Sequence, residues 1–382
     1  MLTFAFEPCA LPAGIPALRA DVRAFLATEL VGISPIEQAR SWSAFDAAFS
    51  RKVGARGWIG MTWPEEFGGR AMSPIERYVV IEELLAAGAP VGAHWIADRQ
   101  SGPLLLRYGT RQQQQRFLPA IARGELFFCI GMSEPSSGSD LASVRTRARR
   151  TSGGWLLSGS KLWTTHAHQA HMMIALVRTG TDETSRHGGL SQFLIDLASP
   201  GVTVRPIVDL AGDTHFNEVF LDDVFVPDEG LIGGEGDGWK QVTSELSLER
   251  SGPERYLSSF RLFREFLTAA GAAPPEPVRG AIGRLAAQLW TLREMSLSVA
   301  GQLAAQRDPA IEAAIVKDLG NSFEQEIPRV VQAFADSSIE LDESTSFVQL
   351  LAFMLQTSPS FSLRGGTREI LRGIIARGIG LR

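Results

Sequence analysis

The spacing of apolar residues divides the chain into three stretches. Over the first 125 residues, apolar side chains recur every three or four positions, which is the period of an amphipathic helix. The pattern predicts helices over residues 15–30, 78–87, 104–108 and 112–121. Pro74 lies ahead of the second helix, and proline is well tolerated in a first helical turn.

The second stretch, residues 126–232, has a different pattern. Short apolar or alternating segments, over residues 155–159, 172–177, 192–197 and 218–221, are separated by glycine and proline. Such spacing is typical of strands joined by turns, with no long helices between them. We therefore expect a middle β domain.

In the third stretch, residues 233–382, the helical period returns. One helix face carries Ile282, Leu285, Leu289, Leu292, Val299 and Leu303. Residues 272–277 read Ala-Ala-Pro-Pro-Glu-Pro and predict a loop, because proline breaks helix interiors. The predicted fold class is α+β, with a helical domain over residues 1–125, a β domain over 126–232 and a helical domain over 233–382.

The composition fits a soluble globular protein, with 45% hydrophobic and 21% charged residues. A formal net charge of −5 argues against nucleic acid or an anionic membrane as a partner. Cys9 and Cys129 are too few for a disulfide framework or a metal cage. The sequence shows neither a signal-peptide pattern nor an apolar run of about 18 residues, so we expect a cytoplasmic protein without a membrane span.

Two polar motifs in the expected β domain indicate a ligand site. Residues 132–140 read Met-Ser-Glu-Pro-Ser-Ser-Gly-Ser-Asp and predict a turn directly after an apolar run. Residues 159–165 read Gly-Ser-Lys-Leu-Trp-Thr-Thr and place a tryptophan and two hydroxyls after a Gly-Ser turn. Together the motifs favour a surface that holds a flat ring system with polar edges, as a flavin has.

These motifs, taken in order with others along the chain, resemble the acyl-CoA dehydrogenase family. The others are Gly-Trp-Ile-Gly at 57–60, Trp-Pro-Glu-Glu-Phe-Gly-Gly at 63–69, Phe-Val-Pro at 225–227 and Gly-Gly-Thr-Arg-Glu-Ile-Leu-Arg at 365–372. The resemblance implies a β-barrel-like middle domain and a C-terminal four-helix bundle. It also implies FAD-dependent oxidation of the Cα–Cβ bond of an acyl-CoA thioester, with electrons leaving to an electron-transfer flavoprotein.

The resemblance also assigns residues to the cofactor and the substrate. Ser133 and Thr165 are expected to hydrogen-bond the edge of the flavin ring, with Trp163 packed beside it. Ser139 is expected to reach the CoA portion of the substrate. The full set of implied cofactor-binding residues is Ile130, Met132, Ser133, Trp163, Thr165 and Thr367.

The catalytic base departs from the common family pattern. Removing an α-proton from a thioester requires a carboxylate base and hydrogen-bond donors to the carbonyl oxygen. Many family members place a glutamate before the Gly-Thr of the last motif, where this chain has Gly365. Others, including enzymes for branched acyl groups, carry the base in an earlier Leu-Glu-Arg segment, which is residues 248–250 here. The resemblance therefore implies Glu249 as the base and Arg250 near the thioester, while the amides of Gly365 and Gly366 polarise the carbonyl.

No metal is expected, although three histidines follow the second polar motif. His166, His168 and His171 have a spacing close to that of metal ligands. No cysteine and no second cluster accompany them, so we interpret them as structural or site-lining residues.

Two family motifs that hold FAD across a subunit boundary are absent. Residues 260–266 lack the glycine of an Arg-x-x-Phe-Gly segment, and residues 347–352 predict an apolar helix instead of a glycine-rich loop. This loss suggests pairing with a related chain in an α2β2 heterotetramer, as in similar bacterial enzymes for steroid side-chain CoA esters. Two alternatives remain open, a non-catalytic partner subunit and an oxidase-like flavoprotein that reduces oxygen. The acyl group is undetermined, although residues 93–96 are expected to line its pocket.

Overall fold

A computed structural model gives the fold of the chain. It describes residues 4–180, 186–248, 250–335 and 346–381, without the side chains of residues 245–248 and 335. Glu249, the expected base, lies outside the described residues.

The chain runs from helices through strands to helices again. The helices are α1 (Ile15–Glu29), α2 (Pro35–Arg40), α3 (Ala47–Ala55), α4 (Pro74–Ala86), α5 (Gly92–Ile96), α6 (Gly102–Tyr108), α7 (Arg111–Ala122), α8 (Gly238–Leu248), α9 (Phe260–Ala270), α10 (Glu276–Ala304), α11 (Ala310–Ala335), α12 (Ser346–Thr357) and α13 (Arg368–Gly378). The strands are β1 (Phe128–Gly131), β2 (Arg147–Thr151), β3 (Gly154–Lys161), β4 (Met172–Arg178), β5 (Leu190–Asp196), β6 (Val202–Ile207), β7 (Phe216–Pro227) and β8 (Leu231–Ile232). The predicted mixed α+β order is confirmed.

The chain packs as two compact units. One contains Met1–Ala44, Met72–Val91 and Ser247–Arg382, and the other contains Phe45–Ala71 and Gly92–Leu246. The predicted three-domain division, the β-barrel-like form of the middle domain and the four-helix bundle stay predictions.

All the described strands join one mixed sheet. Its order is β6-β7-β3-β2-β4-β5-β8, and β1 pairs in parallel with β4. The central strand β4 is buried along Met172–Val177, and apolar side chains from several strands pack with it. Trp155 and Phe193 meet edge to face in this core, with ring centroids 5.4 Å apart. Burial of this size fixes the register, because a one-residue slip would turn apolar side chains toward solvent.

A buried polar network holds three helices of the other unit together. Glu82 on α4 accepts hydrogen bonds from Arg19 of α1 at 2.6 Å and from Arg293 of α10 at 2.7 Å. Tyr78, also on α4, hydrogen-bonds the hydroxyl of Tyr256 at 2.5 Å. Because both ions of each pair have partners, their burial is tolerated within the helical core.

Most predicted elements lie where the apolar spacing places them, with one correction. The predicted loop over residues 272–277 is wrong at its end, because α10 already begins at Glu276. Pro275 is the N-cap and Pro277 lies in the first turn, where a missing amide hydrogen costs no helical hydrogen bond. Helix α12 confirms the apolar helix predicted over residues 347–352.

Candidate functional site

The segment after β3 presents a tryptophan to solvent on an unusual backbone. Trp163 is 55% exposed and has a φ of +59°, a conformation that non-glycine residues adopt rarely. Its indole meets Phe216 edge to face at 5.9 Å. The next residue, Thr164, is tied to buried Asn217 by hydrogen bonds of 2.9 and 3.0 Å. These hydrogen bonds to the sheet hold the Trp163 backbone in its strained conformation and keep the apolar indole exposed to solvent.

Two hydroxyl groups near this indole are available to a ligand. Ser133 and Thr165 are half-buried, and their hydroxyls form no hydrogen bond with any residue of the described ranges. The two segments are joined directly, because the amide of Leu162 donates to the carbonyl of Ser133 at 2.9 Å. Thr164 adds a fully buried hydroxyl without a partner in the described part of the chain. Unpaired hydroxyls beside an exposed aromatic face suit the polar edge of a flavin ring, so these residues fit FAD.

A buried ion pair lies directly behind the two segments. The Lys161 ammonium donates to a Glu134 carboxylate oxygen at 2.8 Å and to the carbonyls of Leu176 and Met132 at 2.6 and 3.3 Å. The Glu134 carboxylate also accepts from the amides of Arg145 at 2.6 Å and Thr146 at 2.9 Å. Every ammonium proton thus has an acceptor.

The pKa values of both groups in this pair are lowered, for different reasons. Burial lowers the pKa of Lys161 to about 8, although Glu134 opposes the shift. Burial acts to raise the pKa of Glu134, but the Lys161 ammonium and the donors around the carboxylate outweigh it and hold that pKa below its usual value. At neutral pH the pair is ionic.

Three other expected residues lie around the turn at residues 132–140. Ile130 sits on β1 opposite Ile174 of β4, and Met132 packs on the apolar cluster that includes Val144 and Leu176. Ser139 is exposed, next to Asp140, which pairs with Arg186. The structure therefore places Met132 and Ser133 on the same turn as the ion pair, with Ser139 at its exposed end.

The histidines have structural contacts. His171 stacks on Phe127, with centroids 5.2 Å apart, and accepts from its amide at 3.1 Å. His168 hydrogen-bonds the side chain of Asn217 at 2.8 Å. Among the described residues, a grouping with metal-ligand geometry is formed instead by Asp209, Asp213 and His215, within 4.8 Å of one another. Sequence reasoning missed this cluster because its members follow no metal-ligand spacing.

The last motif forms a glycine turn in the helical unit. Gly365 and Gly366 have φ values of +64° and +97°, in the left-handed region that favours glycine. The buried Lys317 ammonium of α11 donates to the carbonyl oxygens of Arg364 and Gly366, the second at 2.9 Å. Because C=O and N–H point to opposite sides of a trans peptide, the amides of Gly365 and Thr367 are directed away from Lys317.

These amides form a potential anion site. The N–H groups of Gly365, Gly366 and Thr367 donate to no residue in the described parts of the chain. Thr367 is the N-cap of α13, whose N-terminus adds a positive dipole end. Successive amides of this kind attract a carbonyl oxygen that develops negative charge.

The structure also brings Arg250 to this turn. A Cβ atom on Gly366 would lie 4.0 Å from an Arg250 guanidinium nitrogen. The Arg250 side chain is buried, and the residue lies beyond the end of α8 at Leu248. Glu249, which lies between Leu248 and Arg250 in the sequence, is outside the described residues.

Comparisons with known proteins agree with this geometry. Residues 15–125 match the N-terminal domain of acyl-CoA dehydrogenases, and residues 129–224 match the middle domain. The acyl-CoA dehydrogenase IpdE1 of Mycolicibacterium smegmatis is 34% identical in an alignment that covers 95% of this chain and 96% of that protein. The chain belongs to the acyl-CoA dehydrogenase family. The family predicted from the sequence is thereby confirmed.

Further relatives include a longer chain and a complex of two named chains. The acyl-CoA dehydrogenase FadE34 of Mycobacterium tuberculosis is 36% identical over 84% of this chain, which spans only 44% of its length. Among solved structures, Tcur3481-Tcur3483 steroid ACAD has a TM-score of 0.88 at 26% identity, covering 98% of this chain and 99% of that one. The ChsE4-ChsE5 complex from Mycobacterium tuberculosis has a TM-score of 0.83 at 27% identity, with coverages of 98% and 99%.

In the described residues, no helix is both long enough and apolar enough to cross a membrane.

Proposed function

We propose that the chain catalyses FAD-dependent α,β-dehydrogenation of an acyl-CoA thioester. The observation that carries the proposal is the pair of hydroxyls, Ser133 and Thr165, that have no hydrogen-bond partner among the described residues and lie beside the exposed Trp163 indole. The family membership of the chain supports it. FAD, when bound, is the oxidant and takes a hydride from the β-carbon of the substrate.

The β unit binds and orients the flavin. Ser133 and Thr165 donate to the polar edge of the ring, and the Trp163 indole packs beside it. Ile130 and Met132 supply the apolar base of this surface. Thr367, in the last motif, belongs to the other compact unit and stays an expected cofactor-binding residue. Because these groups are fixed before binding, little ordering is needed when the cofactor arrives.

The glycine turn and Glu249 act on the substrate. The amides of Gly365 and Gly366 hydrogen-bond the thioester carbonyl, which stabilises the negative charge that forms there as the α-proton leaves. The Glu249 carboxylate takes that proton. Arg250 lies close enough to Gly366 to bind near the thioester end of CoA.

The substrate proposed is a bulky acyl group of the steroid side-chain type. One structural relative, which is named a steroid ACAD, carries this indication. Because the proposed base lies in the Leu-Glu-Arg segment, Gly365 can replace a glutamate and leave room for a bulky acyl group. Ser139 reaches the CoA portion, and the α5 segment, with half-buried Trp95 and Ile96, lines the acyl pocket.

We further propose that a related chain completes the enzyme as an α2β2 heterotetramer. The region of the missing Arg-x-x-Phe-Gly motif is helix α9, where Arg261 pairs with Glu265 on its own helix. The region of the missing glycine loop is the apolar helix α12. Neither offers a cofactor loop, so the partner would supply both. An electron-transfer flavoprotein would then take the electrons.

Anaerobic titration of the FAD-loaded protein with acyl-CoA esters tests the activity. Loss of the visible flavin absorbance with a steroid side-chain CoA ester, at a rate above that with a short straight-chain ester, is the expected result. Release of hydrogen peroxide during aerobic turnover at the rate of flavin reduction would favour the oxidase. If the protein binds FAD but no ester reduces it, either alone or with the related chain, the chain is a non-catalytic subunit.

A further inference from the structure

The Glu134–Lys161 ion pair connects the two segments that carry the flavin hydroxyls. Glu134 directly follows Ser133, and Lys161 precedes Trp163 by two residues and Thr165 by four. The Lys161 side chain is fully buried, and the Glu134 side chain is 5% exposed. A buried charge pair in this position links the turn at residues 132–140 to the end of β3.

The hydrogen bonds of the pair connect the turn to two further parts of the sheet region. Lys161 binds Leu176 on β4 and Met132 at the start of the turn, while Glu134 binds the amides of residues 145 and 146 ahead of β2. The turn is closed independently by mutual backbone hydrogen bonds between Glu134 and Ser137, at 2.7 and 3.0 Å. The pair therefore determines where a preformed turn sits on the sheet.

The surrounding packing accommodates the lysine stem. A Cβ atom on Gly131 would lie 3.1 Å from Lys161 Cγ and 2.7 Å from Met173 Sδ. A side chain at position 131 would thus clash with the Met173 thioether and crowd the lysine stem. Glycine at position 131 leaves the space that the lysine stem occupies.

Stability alone does not explain a buried ion pair. The cost of removing two charges from water often exceeds their attraction, and well-packed apolar replacements are commonly neutral or stabilising. A pair with complete hydrogen bonding instead specifies one geometry, because each partner loses its acceptors or donors when the segments move.

We propose that Glu134 and Lys161 are positioning residues that set the spacing between the Ser133 and Thr165 hydroxyls and thereby the seat of the flavin ring. This inference rests on the proposed FAD binding. The pair touches neither cofactor nor substrate in this account and acts through the two segments that it joins.

The test compares a charge-free double variant, Glu134→Gln with Lys161→Met, with a matched control, Arg150→Met with Asp228→Asn. The control removes an exposed ion pair that joins β2 to the segment after β7 on the same sheet. Three quantities are measured: the unfolding midpoint without FAD, exchange of the Leu162 amide hydrogen, and the affinity and visible circular dichroism of bound FAD.

The charge-free variant is expected to keep an unfolding midpoint close to that of the wild type. Its Leu162 amide should exchange about tenfold faster, and its FAD dissociation constant should rise about tenfold or more with a changed flavin dichroism. The control should change none of the three. If the double variant does not fold, Glu134→Gln alone carries the same test, because Lys161 keeps its two carbonyl acceptors.

The inference is overturned if the charge-free variant has the wild-type rate of Leu162 amide exchange, the wild-type FAD affinity and the wild-type flavin dichroism. A wild-type chain that binds no FAD, alone or with a related chain, would refute the proposed function instead. In that case the exchange of the Leu162 amide still decides whether the pair holds the two segments together.

Discussion

Single hydroxyl groups carry much of the proposed flavin site. Thr165 is half-buried and its hydroxyl has no partner in the described part of the chain, so its removal leaves no protein group unpaired. Thr165→Val is therefore expected to weaken FAD binding by about 1 kcal/mol while leaving the unfolding midpoint unchanged. Fluorescence titration with FAD measures the effect. Thr203→Val, on β6 of the same sheet, is the control, and equal losses in both variants would contradict the assignment.

Lys161 predicts a pH dependence of stability. Its pKa is about 8 in the fold against 10.5 for the ordinary side chain. Between these values the unfolded chain binds more protons, so the contribution of Lys161 to the free energy of unfolding rises with pH. The difference in unfolding free energy between wild type and Lys161→Met should grow by about 2 kcal/mol from about pH 7.5 to about pH 9.5.

Urea unfolding at the two pH values measures this difference. Lys240→Met is the control, because Lys240 is an exposed lysine on α8 and its removal takes away no buried charge. A difference that stays constant with pH for Lys161→Met would show that the buried ammonium does not titrate in this range.

At the scale of elements, helix α11 orients the glycine turn through one side chain. Lys317→Met would leave the half-buried carbonyls of Arg364 and Gly366 without their donor, at a cost of about 1 kcal/mol for each unpaired group. The amides of Gly365 and Thr367 would also lose their fixed direction. We expect a lower unfolding midpoint and flavin reduction slowed by about tenfold or more, with FAD affinity retained.

Stopped-flow reduction by acyl-CoA and thermal unfolding separate these effects. Lys240→Met again serves as the surface control. A Lys317→Met variant that unfolds at a lower temperature but reduces its flavin at the wild-type rate would assign Lys317 a purely structural role.

Apolar spacing predicts elements whose burial is one-sided or complete. Helix α4 and strand β4 lie within a few residues of their predicted positions, because their apolar faces meet a core. Strand β6 was missed: it contains Pro206, is largely exposed and sits at the start of the sheet order, where proline costs no ladder hydrogen bond. Helix α2 was missed although Ser34 and Glu37 form a capping box that the sequence contains.

Some site residues can be identified from local sequence motifs, whereas their contacts become visible only in the fold. Ser133, Trp163 and Thr165 lie in motifs that can be read locally. Glu134 and Lys161 lie in the same motifs, but their pairing depends on strands β2 and β4, which meet only in the fold. Lys317 lies far from any motif, and nothing in its sequence neighbourhood distinguishes it from a solvated helix lysine.

At the scale of the whole molecule, the proposed heterotetramer predicts incomplete cofactor binding by the isolated chain. The chain keeps hydroxyls for the flavin ring but has helices α9 and α12 where family members hold FAD across a subunit boundary. Purified alone, it should contain well below one FAD per chain. Co-expression with a related chain encoded nearby should raise that ratio and yield an α2β2 mass.

Absorbance spectra and light scattering on the same samples give both numbers. An isolated chain that forms a homotetramer with one tightly bound FAD per subunit would contradict the shared site. Such a result would leave the dehydrogenase activity itself unaffected.

The proposed reaction requires Glu249 to remove the α-proton. The direct measurement is anaerobic flavin reduction in Glu249→Gln, with Glu245→Gln, four residues earlier in the sequence, as the matched control. We expect Glu249→Gln to bind FAD and acyl-CoA but no longer to lose its visible flavin absorbance with substrate, while Glu245→Gln behaves as wild type. Reduction of Glu249→Gln at the wild-type rate would show that another group removes the proton.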